Sequence, residues 1–182
     1  RHYELIARAS RWVAEHQPEQ PDLASLASAL NVSPHHLQRT FQAWAGVSPK
    51  QFLKSLTRDA AMQRLAAGSS VLDTSISVGL SGPGRLHDLL ITTAALAPGE
   101  VRNRGKGVKL NFGFGHTPFG QALVSWTARG LNFLGFCEEL GAGRVLEELR
   151  EAWIHAEFVE QPLEAQAWLH RVFAGSQDQT LQ

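Results

Sequence analysis

The stretch SPHHLQRTFQAWAGVSPKQFL, Ser33–Leu53, decides the fold because it contains two helix starts and one helix end. Ser33 and Ser48 are each followed by proline, and serine at the N-cap with proline at the first helical position is a typical helix start. Gly46 is placed to end the first of these helices. Between the two starts the apolar residues recur at helical spacing, as Leu37, Phe41 and Trp44.

Helical patterns continue on both sides of this stretch. Upstream, the apolar residues of positions 2–16 recur at steps of three and four, which predicts an amphipathic helix. Asp22 is predicted to cap a short helix with the sequence LASLASAL. Downstream, a longer helix is predicted from Lys50 to Ala67, and Gly68 stops it.

A second copy of the pattern follows the long helix. VLDTSISVGLS resembles PDLASLASALNVS, with Asp73 or Thr74 as the predicted cap, Val78 as an apolar anchor and Gly79 at the turn. GPGRLHDLLITTAAL is the predicted next helix, and APGEVR parallels VSPKQFL. Because chance rarely duplicates cap, turn and spacing together, residues 1–104 are predicted to form two short helix pairs separated by a bridging helix.

The periodicity changes after residue 104. Residues 105–107 are a predicted linker, and residues 108–175 are predicted to form a small α/β lobe before a polar tail, 176–182. Alternation in VKLNFGFGH and in QALVSWTARGLNFLGF predicts a three-stranded antiparallel sheet, with TPFG as a turn. Two helices should follow, at 142–151 and 162–173, with AEFVE as a short extended link. The expected class is mainly α plus a small α/β domain.

Charge is unevenly distributed although the net charge is zero. Residues 1–110 hold 13 Lys and Arg against 8 Asp and Glu, a net charge of +5, and residues 111–182 hold 4 against 9, a net charge of −5. A basic half predicts a polyanionic partner, although a solvated surface can vary this much. No apolar run approaches the roughly 18 residues that span a bilayer, so no membrane partner is expected. The single cysteine, Cys137, excludes an internal disulfide, so a cytoplasmic location is expected.

Two helices joined by a tight turn suit the major groove of DNA, where each base pair presents a distinct pattern of donors and acceptors. The alternatives are an ordinary solvated helix face for the first helix pair and a flexible loop for the second. The predicted DNA contacts of the first pair are Ser33, His35, His36, Gln38, Arg39 and Gln42. Those of the second pair are Ser81, Gly82, Gly84, Arg85 and His87.

The glycines of SGPGR are costly in a helix, by about 1 kcal/mol each relative to alanine. Their predicted benefit is close approach to DNA, because Gly82 and Gly84 have no side chains to hold the backbone away from a phosphate. The free amides and positive dipole end of the helix favour such an anion.

Other chemistries find little support in the sequence. His35 and His36 are adjacent, so they diverge by about 100° on a helix and chelate a metal poorly. NFGFGHTPFG lacks the glycine spacing of a phosphate-binding loop. Cys137 is expected to be structural, because Glu138 and Glu139 beside it would raise the pKa of its thiol. No metal and no cofactor are predicted.

The two helix pairs, SPHHLQRTFQAWAGVSPKQFL and VGLSGPGRLHDLLITTAALAPGEVR, resemble the double helix-turn-helix domain of AraC-type transcription regulators. With FGFGHTPFGQALVSWTARGLNFLGF after them, the chain is similar to the Ada-like branch. In that branch an AraC-type domain precedes a methylguanine-DNA methyltransferase domain. The resemblance implies a ribonuclease H-like lobe at 108–175, with double-stranded DNA as partner and RNA polymerase as a further one.

The family's acceptor cysteine lies in a Pro-Cys-His-Arg motif, which this sequence lacks. Cys137 falls in the predicted third strand and does not match that motif, so the chain is not expected to be an enzyme. The first residue is not methionine, and the chain is expected to be part of a longer protein. Three hypotheses stay open: a transcription regulator, the non-catalytic front of a repair methyltransferase, and a regulator whose acidic lobe senses a ligand or docks a protein.

Overall fold

A computed structural model of the protein describes residues 2–139 and 141–174. The fold is mainly helical with a small sheet, as predicted, and it divides into two compact units between Leu89 and Leu90. The predicted tail at 176–182 and residue 175 lie outside the described residues. The helices are α1 His2–Glu15, α2 Leu23–Ala29, α3 Pro34–Ala45, α4 Pro49–Ala66, α5 Val71–Ser77, α6 Pro83–Ala94, α7 Pro98–Arg102, α8 Ala142–Ala152 and α9 Pro162–Phe173. The strands are β1 Lys109–Thr117, β2 Gly120–Thr127, β3 Gly130–Phe136 and β4 Glu157–Glu160.

An apolar core holds α1, α2, α3 and the start of α4 together. Leu37 and Phe41 of α3 are fully buried in it, as their spacing predicts. Trp44 is different: 57% of it is exposed, and its ring lies edge-on to that of His2, with the ring centroids 6.4 Å apart. The other buried members of this core are Ala9, Val13, Leu26, Ala27, Leu30 and Leu53.

Side-chain caps fix the starts of α2, α3, α4 and α5. Asp22 accepts a hydrogen bond from the backbone N–H of Ser25 at 2.8 Å, and Ser48 forms a capping box with Gln51. The predicted cap of α5 at Asp73 or Thr74 is wrong. Ser70 is the cap, because its Oγ accepts from the N–H of Asp73 at 3.0 Å and the helix begins at Val71.

A 3-10 turn at Gln17–Glu19 joins α4 to the turn after α5. The amide nitrogens of Gln17 and Gln20 both donate to Thr57 Oγ1 and to the carbonyl of Val78, at 3.0–3.1 Å. Gly79 follows with a φ of +76°, and a Cβ there would lie 1.9 Å from the Pro18 carbonyl oxygen. Only glycine fits at this position of the turn.

The sheet differs from its prediction. The described residues form a four-stranded mixed sheet in the order β3-β2-β1-β4, not a three-stranded antiparallel one. The segment AEFVE, predicted as a link, contains β4, which pairs parallel to Lys109–Phe112 of β1. A strand of four residues is too short for alternation to reveal it, and its pairing depends on the chain returning to β1 after α8.

Two glycines of β1 allow close packing of α9. A Cβ at Gly113 would lie 2.6 Å from the Ala165 Cβ, and one at Gly115 would lie 2.7 Å from Leu169 Cδ1. The glycines of NFGFGH therefore serve a strand–helix contact.

Cys137 comes one residue after β3 and not within it. The pKa of its thiol is raised in the predicted direction, but burial is the cause, and the adjacent glutamates are not.

Arg104 and the predicted linker, residues 105–107, form turns, and Arg104 bonds to the end of α8. Arg104 Nε donates to the Ala152 carbonyl at 2.9 Å, and the carbonyl of Arg104 accepts from the N–H of His155 at 3.0 Å. The predicted domain limits at residues 104 and 108 stay a prediction.

Candidate nucleic-acid interface

The predicted contacts on α3 form one continuous polar face. His35, Gln38, Arg39 and Gln42 are all exposed, and their spacing of i, i+3, i+4 and i+7 places them on one side of the helix. The buried residues Leu37 and Phe41 hold the helix in the core. These four side chains offer donors and acceptors toward solvent, and α3 contains no acidic residue.

His36 and Ser33 have different surroundings from those four residues. His36 is half-buried, with its ring centroid 6.3 Å from that of His2 at the start of α1. Ser33 is exposed but uses its hydroxyl as the N-cap, accepting from the N–H of His36 at 3.3 Å. The structure therefore does not join these two residues to the exposed face.

The predicted contacts of the second helix pair lie at the start of α6. Ser81, Gly84, Arg85 and His87 are exposed, and Gly82 is half-buried. On the opposite side Leu86, Leu89 and Leu90 are buried. A Cβ at Gly82 or Gly84 would have no described atom within 4 Å, so the described packing does not require glycine at either position.

The two helix pairs share one backbone design. α2 and α5 each have 7 residues, and α3 and α6 each have 12. In the first turn the N–H of Val32 bonds to the Ala27 carbonyl at 3.0 Å, and in the second the N–H of Leu80 bonds to the Ser75 carbonyl at 2.9 Å. Both turns contain a left-handed residue, Asn31 with a φ of 55° and Gly79 with a φ of 76°.

One extra residue separates turn from helix in the second pair. Ser33 is followed directly by the first residue of α3, whereas Gly82 stands between Ser81 and the first residue of α6. When α3 and α6 are aligned by their first residues, Arg39 corresponds to Asp88 and His36 to Arg85. The two predicted arginine contacts therefore occupy different positions on their helices.

Asp88 and the lysines of α4 are further charged residues near the predicted contacts that were not predicted from the sequence. Asp88 is exposed on the candidate face of α6, with its Oδ1 3.8 Å from His87 Nδ1. Lys50 and Lys54 are exposed and one turn apart, and the first turn of α4, which is fully described, holds no acidic residue. Their four-residue spacing was a usable signal for a phosphate-facing side.

The described residues contain no group of three or more His, Cys, Asp or Glu side chains placed to hold a metal ion. Among the described helices, none has the length and apolar character that crossing a membrane requires.

Residues 26–104 match a family model described as a helix-turn-helix domain. A transcriptional regulator with an AraC-type DNA-binding domain, from Chromobacterium violaceum, is similar to the chain with a TM-score of 0.53. That similarity covers 57% of this chain and 93% of the other at 19% sequence identity. The comparisons show a helix-turn-helix fold for residues 26–104. The match runs from within α2 to just past the end of α7, so the predicted helix-turn-helix units are confirmed.

The helix-turn-helix region has a further structural neighbour in the DNA-binding domain of the global transcriptional factor AdpA, solved in complex with a target DNA. It has a TM-score of 0.51 at 25% identity and covers 54% of this chain and 89% of that one. The bifunctional transcriptional activator/DNA repair enzyme Ada of Escherichia coli is 25% identical over 126 residues, or 69% of this chain. The chain spans about a third (35%) of the length of that relative.

Proposed function

We propose that residues 26–104 are an AraC-type domain, which binds double-stranded DNA sequence-specifically and thereby regulates transcription. The observation that carries this proposal is the exposed face of α3, on which His35, Gln38, Arg39 and Gln42 point away from the core. Glutamine and arginine form bidentate hydrogen bonds with adenine and guanine, respectively. A helix with such a face fits the major groove of a duplex.

The length of α4 supports binding by both helix pairs. Its 18 residues span about 27 Å at 1.5 Å per residue. Successive major grooves on one face of DNA are about 34 Å apart. The widths of the flanking helix pairs add to the length of α4, so this spacing suits two neighbouring grooves.

The two candidate recognition helices are suited to different contacts. The face of α3 suits base edges, whereas Gly84 and Arg85 at the start of α6 suit a phosphate. Lys50 and Lys54 add positive charge on α4. RNA polymerase as a further partner stays a prediction.

Replacement of Arg39 by alanine tests the proposal. The full chain is first used to select its preferred duplex from a random pool, and affinities are then measured by fluorescence anisotropy at several salt concentrations. We expect Arg39→Ala to weaken binding to the selected duplex by about 1–3 kcal/mol and to relax specificity at one base pair.

Arg144→Ala is the matched control, because Arg144 is exposed on α8 and pairs with Glu147 and Glu148. We expect its affinity to equal that of the wild type. If Arg39→Ala bound the selected duplex as tightly as wild type at every salt concentration, the assignment of α3 as a recognition helix would be wrong.

In the second candidate function, this chain is the non-catalytic front part of a longer repair methyltransferase. The 126 aligned residues of Ada exceed the 104 of the predicted regulator domain, so the similarity extends into the following lobe. We infer from this that residues 108–175 form an Ada-like lobe, although its four-stranded mixed sheet does not match the expected three-stranded, ribonuclease H-like one. Sequencing the reading frame past Gln182 tests it, since a Pro-Cys-His-Arg motif there would make the parent protein a methyltransferase.

The ligand-sensing hypothesis for the lobe stays a prediction. One pocket of the lobe is lined by Phe119, Phe136, Phe173, Glu138 and Glu139. Calorimetry with a panel of small molecules would test it, and flat traces throughout would argue against it.

A further inference from the structure

The second candidate recognition helix lacks the end signals that the first one carries. α3 has the Ser33 side chain at its start and Gly46 in the left-handed conformation, with a φ of 73°, just after its end. α6 has Gly82 before its first residue and therefore no side-chain cap there. After its end stands Ala95 with a φ of 55°, a conformation that alanine rarely adopts.

The last turn of α6 also has low intrinsic helix propensity. Ile91, Thr92 and Thr93 are β-branched, and such residues lose side-chain freedom in a helix. Local sequence alone therefore gives α6 a weak C-terminal end, and some other part of the molecule has to stabilise it.

The hairpin of β2 and β3 supplies this stabilisation. Thr127 Oγ1 and Arg129 Nε each donate to the carbonyl of Ala95 at 3.0 Å. Asn132 Nδ2 donates to the carbonyl of Ala94, also at 3.0 Å.

Arg129 has a second role at this helix end, because its guanidinium forms an ion pair with Glu100 of α7. A cation and several donors at carbonyls that have no partner inside the helix are the usual stabilisers of a helix C-terminus. The hairpin thus provides the cap that the sequence of α6 does not.

We propose that Arg129 and Asn132 are positioning residues for DNA binding, because they order the C-terminal end of the recognition helix α6 from the sheet. This inference rests on the proposed DNA binding and adds that the α/β lobe is needed for it. The first recognition helix carries its own caps, so loss of the hairpin contacts should affect only the half-site that α6 binds.

The test is a hydroxyl-radical footprint of the full chain on the selected duplex, with affinities measured in parallel. The half-site of α3 is the one whose protection Arg39→Ala weakens. We expect Arg129→Gln to lose protection at the other half-site, with affinity reduced about tenfold, as for loss of a charged hydrogen bond. Arg129→Lys should restore part of the protection, because it keeps the cation at the helix end.

Asn132→Ala is the second variant, since it removes the hydrogen bond to α6, together with the one that Asn132 Oδ1 accepts from Ser125, and leaves the ion pair with Glu100 in place. We expect a smaller loss at the same half-site, together with a lower unfolding temperature, because the buried hydroxyl of Ser125 loses its acceptor. Arg144→Gln, an exposed arginine of α8, is the matched control and should leave both half-sites protected.

Two results would overturn the inference. One is equal protection of both half-sites by wild type, Arg129→Gln and Asn132→Ala. The other is an equal loss at both half-sites in Asn132→Ala, which would mean general destabilisation. If the wild-type chain protected no selected duplex at all, the proposed DNA binding itself would fail.

Discussion

The two helix pairs of this protein reach the same backbone by different means. Both combine a 7-residue helix, a turn with one left-handed residue and a 12-residue helix. The first pair takes its caps from its own sequence, at Asp22, Ser33 and Gly46. The second pair is stabilised in part by other segments of the chain. Gly79 packs against the 3-10 turn, and Arg129 of the hairpin donates to the carbonyl of Ala95.

The outward-facing residues of the two 12-residue helices also differ. Where α3 presents His35, Gln38, Arg39 and Gln42, the equivalent positions of α6 hold Gly84, His87, Asp88 and Ile91. Only the first set can form several base contacts with no opposing charge. If the proposed DNA binding holds, the duplicated fold keeps its geometry while one copy contacts bases and the other approaches the DNA backbone.

The largest expected effect comes from Gly79→Ala in the second turn. The new Cβ would lie 1.9 Å from the Pro18 carbonyl oxygen at a φ of +76°. Overpacking and a left-handed alanine together should lower the free energy of unfolding by about 2–4 kcal/mol. Urea unfolding followed by circular dichroism measures this loss.

Gly46→Ala is its control in the first pair. Its φ is +73°, but no described atom lies within 4 Å of the new Cβ. We therefore expect a loss of about 1–2 kcal/mol, from the backbone conformation alone. Equal losses in the two variants would mean that the contact with Pro18 does not anchor the second pair.

The helical half of the fold was readable from the sequence because its signals are local. Ser33, Ser48 and Gly46 each act within one turn of their own position, and the structure uses all three as caps. The cap of α5 was misplaced because Ser70, Asp73 and Thr74 are all plausible caps within five residues. Only the hydrogen bond from the N–H of Asp73 to Ser70 decides between them.

The sheet was only partly readable because its pairing is not local. β4 joins β1 across more than 40 residues, and a four-residue strand carries no clear period. For the candidate site, the exposed residues of α3 followed from periodicity. The half-burial of His36 did not, because it depends on His2 of another helix.

Substitution of Gly84 sharpens the comparison, because the free energy of unfolding should rise while the affinity for DNA should fall. It is the second residue of α6, and a Cβ would have no described atom within 4 Å. Gly84→Ala should therefore raise the free energy of unfolding by about 0.5–1 kcal/mol. It should also weaken binding to the selected duplex, because the methyl group would hold the backbone off a phosphate.

Gly99→Ala is the control, since Gly99 is likewise the second residue of a helix after proline and likewise has space around it. It should give a similar gain in stability and leave the affinity for DNA unchanged. If Gly84→Ala were stabilised and bound DNA as tightly as wild type, close approach of α6 to the duplex would be ruled out.

The smallest expected effect concerns the N-caps of the two 7-residue helices, which are a carboxylate, Asp22, in α2 and a hydroxyl, Ser70, in α5. The hydrogen bond from the backbone of Ser25 holds the pKa of Asp22 below its ordinary value of 3.8. Because the folded-state pKa is the lower one, the carboxylate contributes stability at neutral pH and loses it as the pH falls through 3.8 and below. Asp22→Ser gives the first pair the type of cap that the second has, and a hydroxyl does not titrate in this range. Urea unfolding of both proteins is measured between pH 7 and pH 3. We expect the wild type to lose stability relative to Asp22→Ser at the acid end. Parallel profiles would mean that the charge on Asp22 contributes nothing to the stability of the first pair.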